Sequence, residues 1–451
     1  SAGRDVNTGD YNTLLGYGAG FEYTTQSNNT MVGNSGVNDT GSNNTGVGHQ
    51  TIYSAGAGSY LTAVGTYALY ANTTGDYSVA VGYGALDANT EGDKNVAVGY
   101  NALTANTTAI DNTALGNSAA GSNQTGNGNV AVGHSALYAN VLGAYSTVVG
   151  TYALDAQAPT GSTSMYNCAF GAYAGTNLTT GLQNTFIGGQ SAGTGTVTGH
   201  SNTAVGYIAG YDISSGEQNT FLGAYAGYEN AGASYNTFLG AYSGNSTDTG
   251  THNTVVGRYA AYSMTSGHNN VIIGQNACSD TNDEELTTAG YCVAIGDDVN
   301  VGSATADYQI VIGAGATGKG ANTGFISANG GGSSGSIYQG NDNASWATTS
   351  DSRLKKNIKD NNVGLDAIDK IRVRNYEYRK PEEITELDPS LAIEKEGVQL
   401  GVIAQEIQKV LPNVVKEEAG GWLSVSNDDV TWHLVNAVKE LSAKVKELEE
   451  K

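Results

Sequence analysis

The sequence predicts a mainly β protein: a parallel β-solenoid of 17-residue turns, followed by a small α+β domain that ends in a coiled-coil helix. Three observations carry this reading. A glycine closing a short apolar segment recurs at positions 16, 33, 48, 65, 82, 99, 116, 133, 150, 171, 188, 206, 223, 240, 257, 274, 296 and 313. Thirteen of the seventeen intervals are 17 residues, the others being 15, 21, 18 and 22. A unit that short buries a core only by stacking on its neighbours. Of the 20 Lys and Arg residues, only Arg4, Lys94, Arg258 and Lys319 precede Ser350, so the composition changes there. Finally, Leu434, Val438, Leu441, Val445 and Leu448 are spaced 4, 3, 4 and 3 residues apart, as in the seam of a helix that pairs with another.

Composition narrows the function classes. The 64 Gly and 4 Pro without a Gly-X-Y period are not collagen. The net charge of −22 divides into −18 before Ser350 and −4 from there on, and so acidic a chain repels phosphate backbones, which excludes nucleic acid as a partner. Cys168, Cys278 and Cys292 make no disulfide framework. A Cys278–Cys292 bridge is open, with buried fillers as the alternative favoured by their small apolar character. No apolar run approaches the roughly 20 residues of a transmembrane helix, which argues against membrane insertion. No signal peptide opens the chain, and the start Ser1-Ala2-Gly3, already near the repeat pattern, suggests a piece of something longer.

Residues 1–317 form the repeat array. Its unit reads as in Asn95-Val96-Ala97-Val98-Gly99 or Asn219-Thr220-Phe221-Leu222-Gly223. The residue before the glycine is always apolar, and two further back stands Thr, Val, Cys or Ile. That alternation predicts a short strand with one buried face. The glycine permits a bend that a Cβ would obstruct. Three residues on comes a small residue, often Ala (Ala68, Ala85, Ala102, Ala226), where packing must be close. Asn opens the strand in 13 of the 18 units, which predicts a ladder of amide hydrogen bonds along the stack. Segments such as Asn72-Thr73-Thr74-Gly75-Asp76 read as turn chemistry. At ~4.8 Å per turn, the rod is on the order of 85 Å long. Early units carry Leu four after the glycine (Leu69, Leu86, Leu103), whereas later ones carry Gly there (Gly175, Gly210, Gly227) and gain Phe two before it (Phe186, Phe221, Phe238). Bulk therefore moves from one wall to another, and a change of cross-section is expected near residue 160, beside the spacer Pro159–Met165.

The unit resembles the head repeats of trimeric autotransporter adhesins, whose shorter motif is also a polar-small-aliphatic-Gly strand. That resemblance implies a left-handed parallel β-roll and a trimer. Tyrosines after the glycines (Tyr67, Tyr83, Tyr152, Tyr225, Tyr242) read as a platform for sugar rings or as covers for corners and subunit contacts, the latter suiting a half-buried tyrosine. Asp111, Asp155 and Asp212 are scattered over turns, and no glycosidase pair is legible among them. The acidic run Asp280–Glu285 is an outward loop without EF-hand spacing, so no metal or cofactor is assigned.

Residues 318–349, with Gly330-Gly331-Gly332-Ser333-Ser334-Gly335, form a tip or transition in which Ser336-Ile337-Tyr338 and Ala344-Ser345-Trp346-Ala347 each suggest a strand. Phe325, Tyr338 and Trp346 are candidate receptor contacts; a transition into the next domain explains the same residues. From Ser350 to Lys451, a helix is expected over Asn362–Ile371 and a strand over Val373–Tyr378. A strand leading into a helix follows over Val398–Ile407, stopping before Pro412, then a strand at Trp422–Val425 and a helix over 430–450.

Ser350 and Lys355, five apart at the compositional seam, suit either a processing site or a capped turn with solvated lysines. Here Ser350-Asp351-Ser352-Arg353-Leu354-Lys355-Lys356-Asn357-Ile358, then Gly401-Val402-Ile403-Ala404-Gln405-Glu406 with Leu411-Pro412, and the terminal helix, resemble the intramolecular chaperone domain of endosialidase-type phage tailspikes, peptidase family S74. The resemblance covers essentially all of 350–451. It implies a domain that trimerises, templates the preceding β-rich fibre and cuts itself off. Ser350 would be the nucleophile, Lys355 the general base and Thr349–Ser350 the scissile bond, with Asp351 and Arg353 supporting the geometry. A lysine base must be neutral, so its pKa must be lowered by burial or nearby cations. The expectation is a self-cleaving, homotrimeric phage tail fibre, located on the virion and binding a host-surface glycan or protein. A bacterial surface adhesin and a polysaccharide-degrading tailspike are the alternatives.

Overall fold

The computed structural model describes residues 2–4, 7–21, 23–36, 41–54, 56–279, 287–327, 336–339, 352–387, 396–417 and 421–451. The chain divides into two units, Ser1–Thr349 and Ser350–Lys451. The first is a parallel β-solenoid of about eighteen turns, with one short strand before each closing glycine except Gly33 and Gly48, which lie within longer strands. Strands pair one turn to the next, so that Ala80 lies between Ala63 and Ala97, and Phe221 between Ala204 and Phe238. The four residues added in the 21-residue interval are absorbed by a side pairing of Thr163–Ser164 with Gly143–Ala144. The ladder continues to Gly324–Ser327, which pairs in parallel with Ile310–Ile312; there Ser336–Gln339 joins antiparallel.

Burial within the three-residue solenoid strands after the first is one-sided, and the buried residue is the middle one. Ala63, Ala80, Ala97, Phe186 and Phe221 are fully buried, whereas the β-branched and aliphatic residues on either side are half-buried or exposed. The reason is volume. The small residue after each glycine and the Leu beyond it already fill the interior, leaving room for Ala opposite them: Ala68, Leu69, Ala85 and Leu86 are all fully buried.

Backbone geometry at the corners repeats as faithfully as the sequence. Non-glycine residues adopt φ near +60° five before the closing glycine, as at Tyr60, Tyr77 and Tyr145. They do so again two and four after it, as at Tyr67 with Leu69 and Tyr152 with Leu154. Such residues cost roughly 1–2 kcal/mol each unless over-determined by their surroundings. Here the stack fixes them: Leu86 N–H donates to Ala102 O at 3.1 Å and Tyr77 N–H to Ser59 O at 3.1 Å, one turn away. At the closing glycines φ is larger, 139° at Gly82 and 142° at Gly99, and a Cβ would strike the next closing glycine's carbonyl. Only glycine fits.

The exchange of Leu for Gly plus Phe is compensating. A Cβ on Gly175 would lie 2.6 Å from both Leu154 Cδ2 and Phe186 Cδ2, and one on Gly210 would lie 2.9 Å from Phe221 Cδ2. The ring enters the space that the leucine vacates, and the strand ladder passes from Thr147–Val149 to Cys168–Phe170 to Thr185–Ile187 without a shift of register.

Asparagines form two buried columns. In the first, Asn95 Oδ1 accepts the Asn112 N–H at 3.0 Å and Asn112 Oδ1 that of Asn129 at 2.9 Å. Their amide groups donate mainly to turn carbonyls, such as Asn129 Nδ2 to Gly143 O at 2.8 Å. The second column links amide to amide: Asn89 Nδ2 to Asn72 Oδ1 and Asn106 Nδ2 to Asn89 Oδ1, each at 2.7 Å, continuing through Asn123 and Asn140 to Gln157. Asn72 is thus a buried ladder residue as well as a turn residue. All three cysteines are free. Cys278 and Cys292 are buried fillers, and burial pushes the Cys278 thiol up to about 12. Cys168 differs: it lies half-buried on the outward strand face.

The C-terminal unit holds three α-helices among the described residues: α1 (Leu365–Ile368), α2 (Ala404–Gln408) and α3 (Asn427–Glu449). Arg374–Tyr376 pairs antiparallel with Gln399–Gly401, and Val415–Glu417 with Leu423–Val425. The helix expected over Asn362–Ile371 is only the four residues of α1, because the segment before it packs as extended chain on α3. Ser426 caps α3 by accepting the Asp429 N–H at 3.3 Å. The core is small: Ala367, Ile407, Leu411 and Val414, with Ile371, Val402 and Val430 against them. No helix among the described residues is long and apolar enough to cross a membrane.

Candidate functional site

The Ser-Lys motif opens the C-terminal unit. Thr349, Ser350 and Asp351 lie outside the described residues, as does Trp346. Arg353 belongs to a single 3-10 turn, Ser352–Leu354, which ends with the Lys355 N–H donating to Ser352 O at 3.2 Å. Lys355 follows immediately and is exposed, and Asn357 turns the chain with φ 55°. Two large apolar residues bracket the lysine: Leu354 and Ile358 are 72% and 70% exposed. The general base of a Ser-Lys dyad needs desolvation or nearby cations. Among the described residues of the segment, Leu354 and Ile358 supply an exposed apolar surface on either side of the lysine.

What anchors this segment is α3. After Ile358 the chain runs to Asn361, whose carbonyl accepts from Asn436 Nδ2 at 2.6 Å. The Val363 carbonyl accepts from Nδ1 of the buried His433 at 2.8 Å. Glu440 Oε2 accepts the Leu365 N–H at 3.1 Å at the start of α1. Gly364 is required here, since a Cβ would lie 2.9 Å from Ala437 N. A second anchor joins the motif Gly401–Glu406 to the preceding strand. Arg374 grips Glu406 with two bonds, of 2.6 and 3.1 Å, and Arg372 approaches to 3.9 Å. The hydrogen bonds from Arg374 hold the Glu406 carboxyl below its ordinary range. Sequence reading missed His433, Asn436, Glu440 and the Arg374–Glu406 pair, because their partners lie far away in sequence. The only local signal was a lone glycine before α1.

The seam of α3 points away from this core. His433 and Ala437 are the buried residues of the helix, whereas Leu434, Val438, Leu441, Val445 and Leu448 are all exposed, Leu448 at 71%. Trp432 is also 68% exposed. So much exposed apolar surface on so small a core is the signature of an association face.

Among the proposed receptor contacts, Phe325 is 3% exposed and closes the end of the solenoid core, with Lys319 Nζ 4.8 Å from its ring centroid. Its ring offers no free face. Tyr338 is opposite it in the antiparallel pair. Several tyrosines in the columns also spend their faces internally, although Tyr67 meets Tyr83 edge-on at 85°. Tyr225 and Tyr242 stack at 4.8 Å and 3°, Tyr242 and Tyr259 at 4.8 Å and 21°, and Tyr60 and Tyr77 at 4.9 Å and 8°. Rings stacked along the axis present edges to water, which fits corner covers better than sugar platforms. Asp155 accepts the Thr176 hydroxyl at 2.7 Å, a turn-to-turn link. No group of three metal-ligating side chains occurs among the described residues, and the acidic run Asp280–Glu285 lies outside them.

Comparison with known proteins bears on the C-terminal unit. Residues 350–416 match the peptidase S74 family model, described as chaperone of endosialidase. The long tail fiber protein Gp37 of Enterobacteria phage K3 is 42% identical over 106 residues, 23% of this chain and 8% of that protein. The protein of the same name from Enterobacteria phage M1 is 38% identical over 103 residues, 22% of this chain and 38% of that protein. The chain thus spans well under half the length of these relatives. No solved structure matches it significantly. The C-terminal unit carries a chaperone-of-endosialidase domain of the peptidase S74 family, and a parallel β-solenoid joined to such a domain fits a phage tail fibre.

Proposed function

We propose that the protein is a trimeric, receptor-binding section of a phage tail fibre, whose C-terminal domain drives assembly and then releases itself by cutting Thr349–Ser350. The observation that carries this is the seam of α3, which is exposed among the described residues. The folding problem explains the need. Successive turns are so alike that a slip by one turn preserves most pairings, and parallel pairings of this kind form slowly. A clamp that gathers the chains sets their register, and its removal leaves the fibre kinetically trapped.

In the release step, the Ser350 hydroxyl attacks the Thr349 carbonyl carbon while neutral Lys355 takes its proton. The peptide nitrogen of Ser350 leaves as an amine, and the ester so formed is hydrolysed by water, giving a new carboxylate on Thr349 and restoring the hydroxyl. Lys355 is exposed between Leu354 and Ile358 in the single chain. Burying those two apolar residues against another subunit would desolvate the lysine, so cutting follows assembly. Arg353 lies within the turn, and the family resemblance gives it and Asp351 a supporting role. The assembled solenoid would bind a glycan or protein of the host surface. Intact mass of the purified chain beside Ser350→Ala tests the cleavage: two fragments meeting at Thr349–Ser350 in the former and one full-length species in the latter are expected. Full-length chain in both would refute it.

A further inference from the structure

The outward face of the solenoid strands carries two columns of side chains. One is formed by the residue before each closing glycine, from Leu15 to Ile312, and the other by the residue two positions earlier, from Thr13 to Ile310. None of these residues is buried. Every member of the first column is apolar, and several are large and well exposed, including Leu115 at 49%, Phe170 at 58%, Leu222 at 45% and Leu239 at 41%. Every member of the second is Thr, Val, Cys or Ile. Neither column contains a charged residue, although this part of the chain carries 22 carboxylates and 4 cations. The acidic residues stand on the turns instead, as at Asp76, Asp93 and Glu217.

We infer that this face is an interface between copies of the chain, packed parallel and turn against turn. Exclusion of charge from a continuous, half-buried to exposed strip of aliphatic and threonine side chains marks an association surface. Its dimensions suit a stable contact: eighteen turns at ~4.8 Å and a width of ~10 Å give roughly 800 Å² per copy, the share one partner contributes to a standard interface. The occupant must present apolar groups at the same spacing over the same length. A second copy of this strip does so by construction. The exposed seam of α3 independently calls for copies of the same chain.

This inference rests on the proposed assembly, and the test separates the two. Leu222→Cys and Thr249→Cys variants of the full chain are oxidised with copper phenanthroline, and the assembly state is measured by sedimentation. Thr249 is exposed in the turn between two strands. The expected result is an oligomer in which Leu222→Cys gives disulfide-linked pairs and Thr249→Cys does not. The native Cys168, on the same face, should add a weaker link that the Cys168→Ser background removes. Linking through Thr249→Cys alone, or through neither site in a chain that sediments as an oligomer, would overturn the face assignment and leave assembly standing. A monomeric wild-type chain would overturn the assembly reading itself.

Discussion

The ring of Phe221 occupies the space that a side chain on Gly227 would need: a Cβ built on Gly227 falls 2.7 Å from Phe221 Cε1. Gly227 has φ 60°, and Leu86 holds the equivalent corner in the first half at φ 52°. The backbone there accepts leucine, so the clash is between side chains. Gly227→Leu should therefore destabilise by about 1–3 kcal/mol through overpacking. Phe221→Ala alone should cost about 3–5 kcal/mol through the cavity it leaves. The double variant, which recreates the first-half pairing of Ala with Leu, should recover a large part of both losses. A double-mutant cycle on thermal unfolding checks this; simple additivity of the two costs would contradict it.

The amide column makes a different demand. Asn106 donates to Asn89 Oδ1 and Ala109 O, and accepts from Asn123 Nδ2. Asn106→Leu would leave the Asn89 oxygen without its donor, at a cost of about 1–3 kcal/mol. Later turns place Leu178 and Ile213 in the same column, both fully buried, so the site tolerates apolar filling when neighbours change with it. Replacing Asn89, Asn106 and Asn123 together by Leu should thus cost less than three times the single change. Protection of amides in these turns, followed by hydrogen exchange, is the measurement; strict additivity would contradict the ladder account.

These two cases show what the sequence made legible. The period, the closing glycine, the buried Ala and the first asparagine column could be read because each is local and repeats at one spacing. The second column could not. Asn72 sits in Asn-Thr-Thr-Gly, which has every mark of a solvated turn, and only stacking in register buries it. Which strand face is buried was not legible, because period-two alternation says that one face is inward without saying which. The available volume selected Ala. Near the Ser-Lys motif, local residues identified the segment, while its anchors His433, Asn436 and Glu440 act across 70 to 75 residues of sequence.

Acid should loosen the C-terminal unit through Glu406. Its carboxyl is held below the ordinary glutamate value, about 4.3, by the Arg374 bonds. A carboxylate with a depressed folded pKa contributes stability that is present above the unfolded value and is lost as pH falls through the folded one. Tryptophan fluorescence follows this unit through Trp422 and Trp432. Unfolding midpoints should fall below about pH 4 in the wild type, and Glu406→Gln should lower the midpoint at pH 7 and flatten that dependence. An unchanged pH profile in the variant would mean that the pair adds nothing.

The most direct test of the account is whether release depends on assembly. In the Val438→Lys, Leu441→Lys double variant the two substituted positions are exposed in the single chain, so its fold should survive while the α3 seam is disabled. Intact mass of this variant and the wild type, purified in parallel, gives the answer. The account predicts fragments meeting at Thr349–Ser350 in the wild type and uncut chain in the variant. Equal cleavage in both would show that the dyad works without partners, contradicting assembly-coupled release.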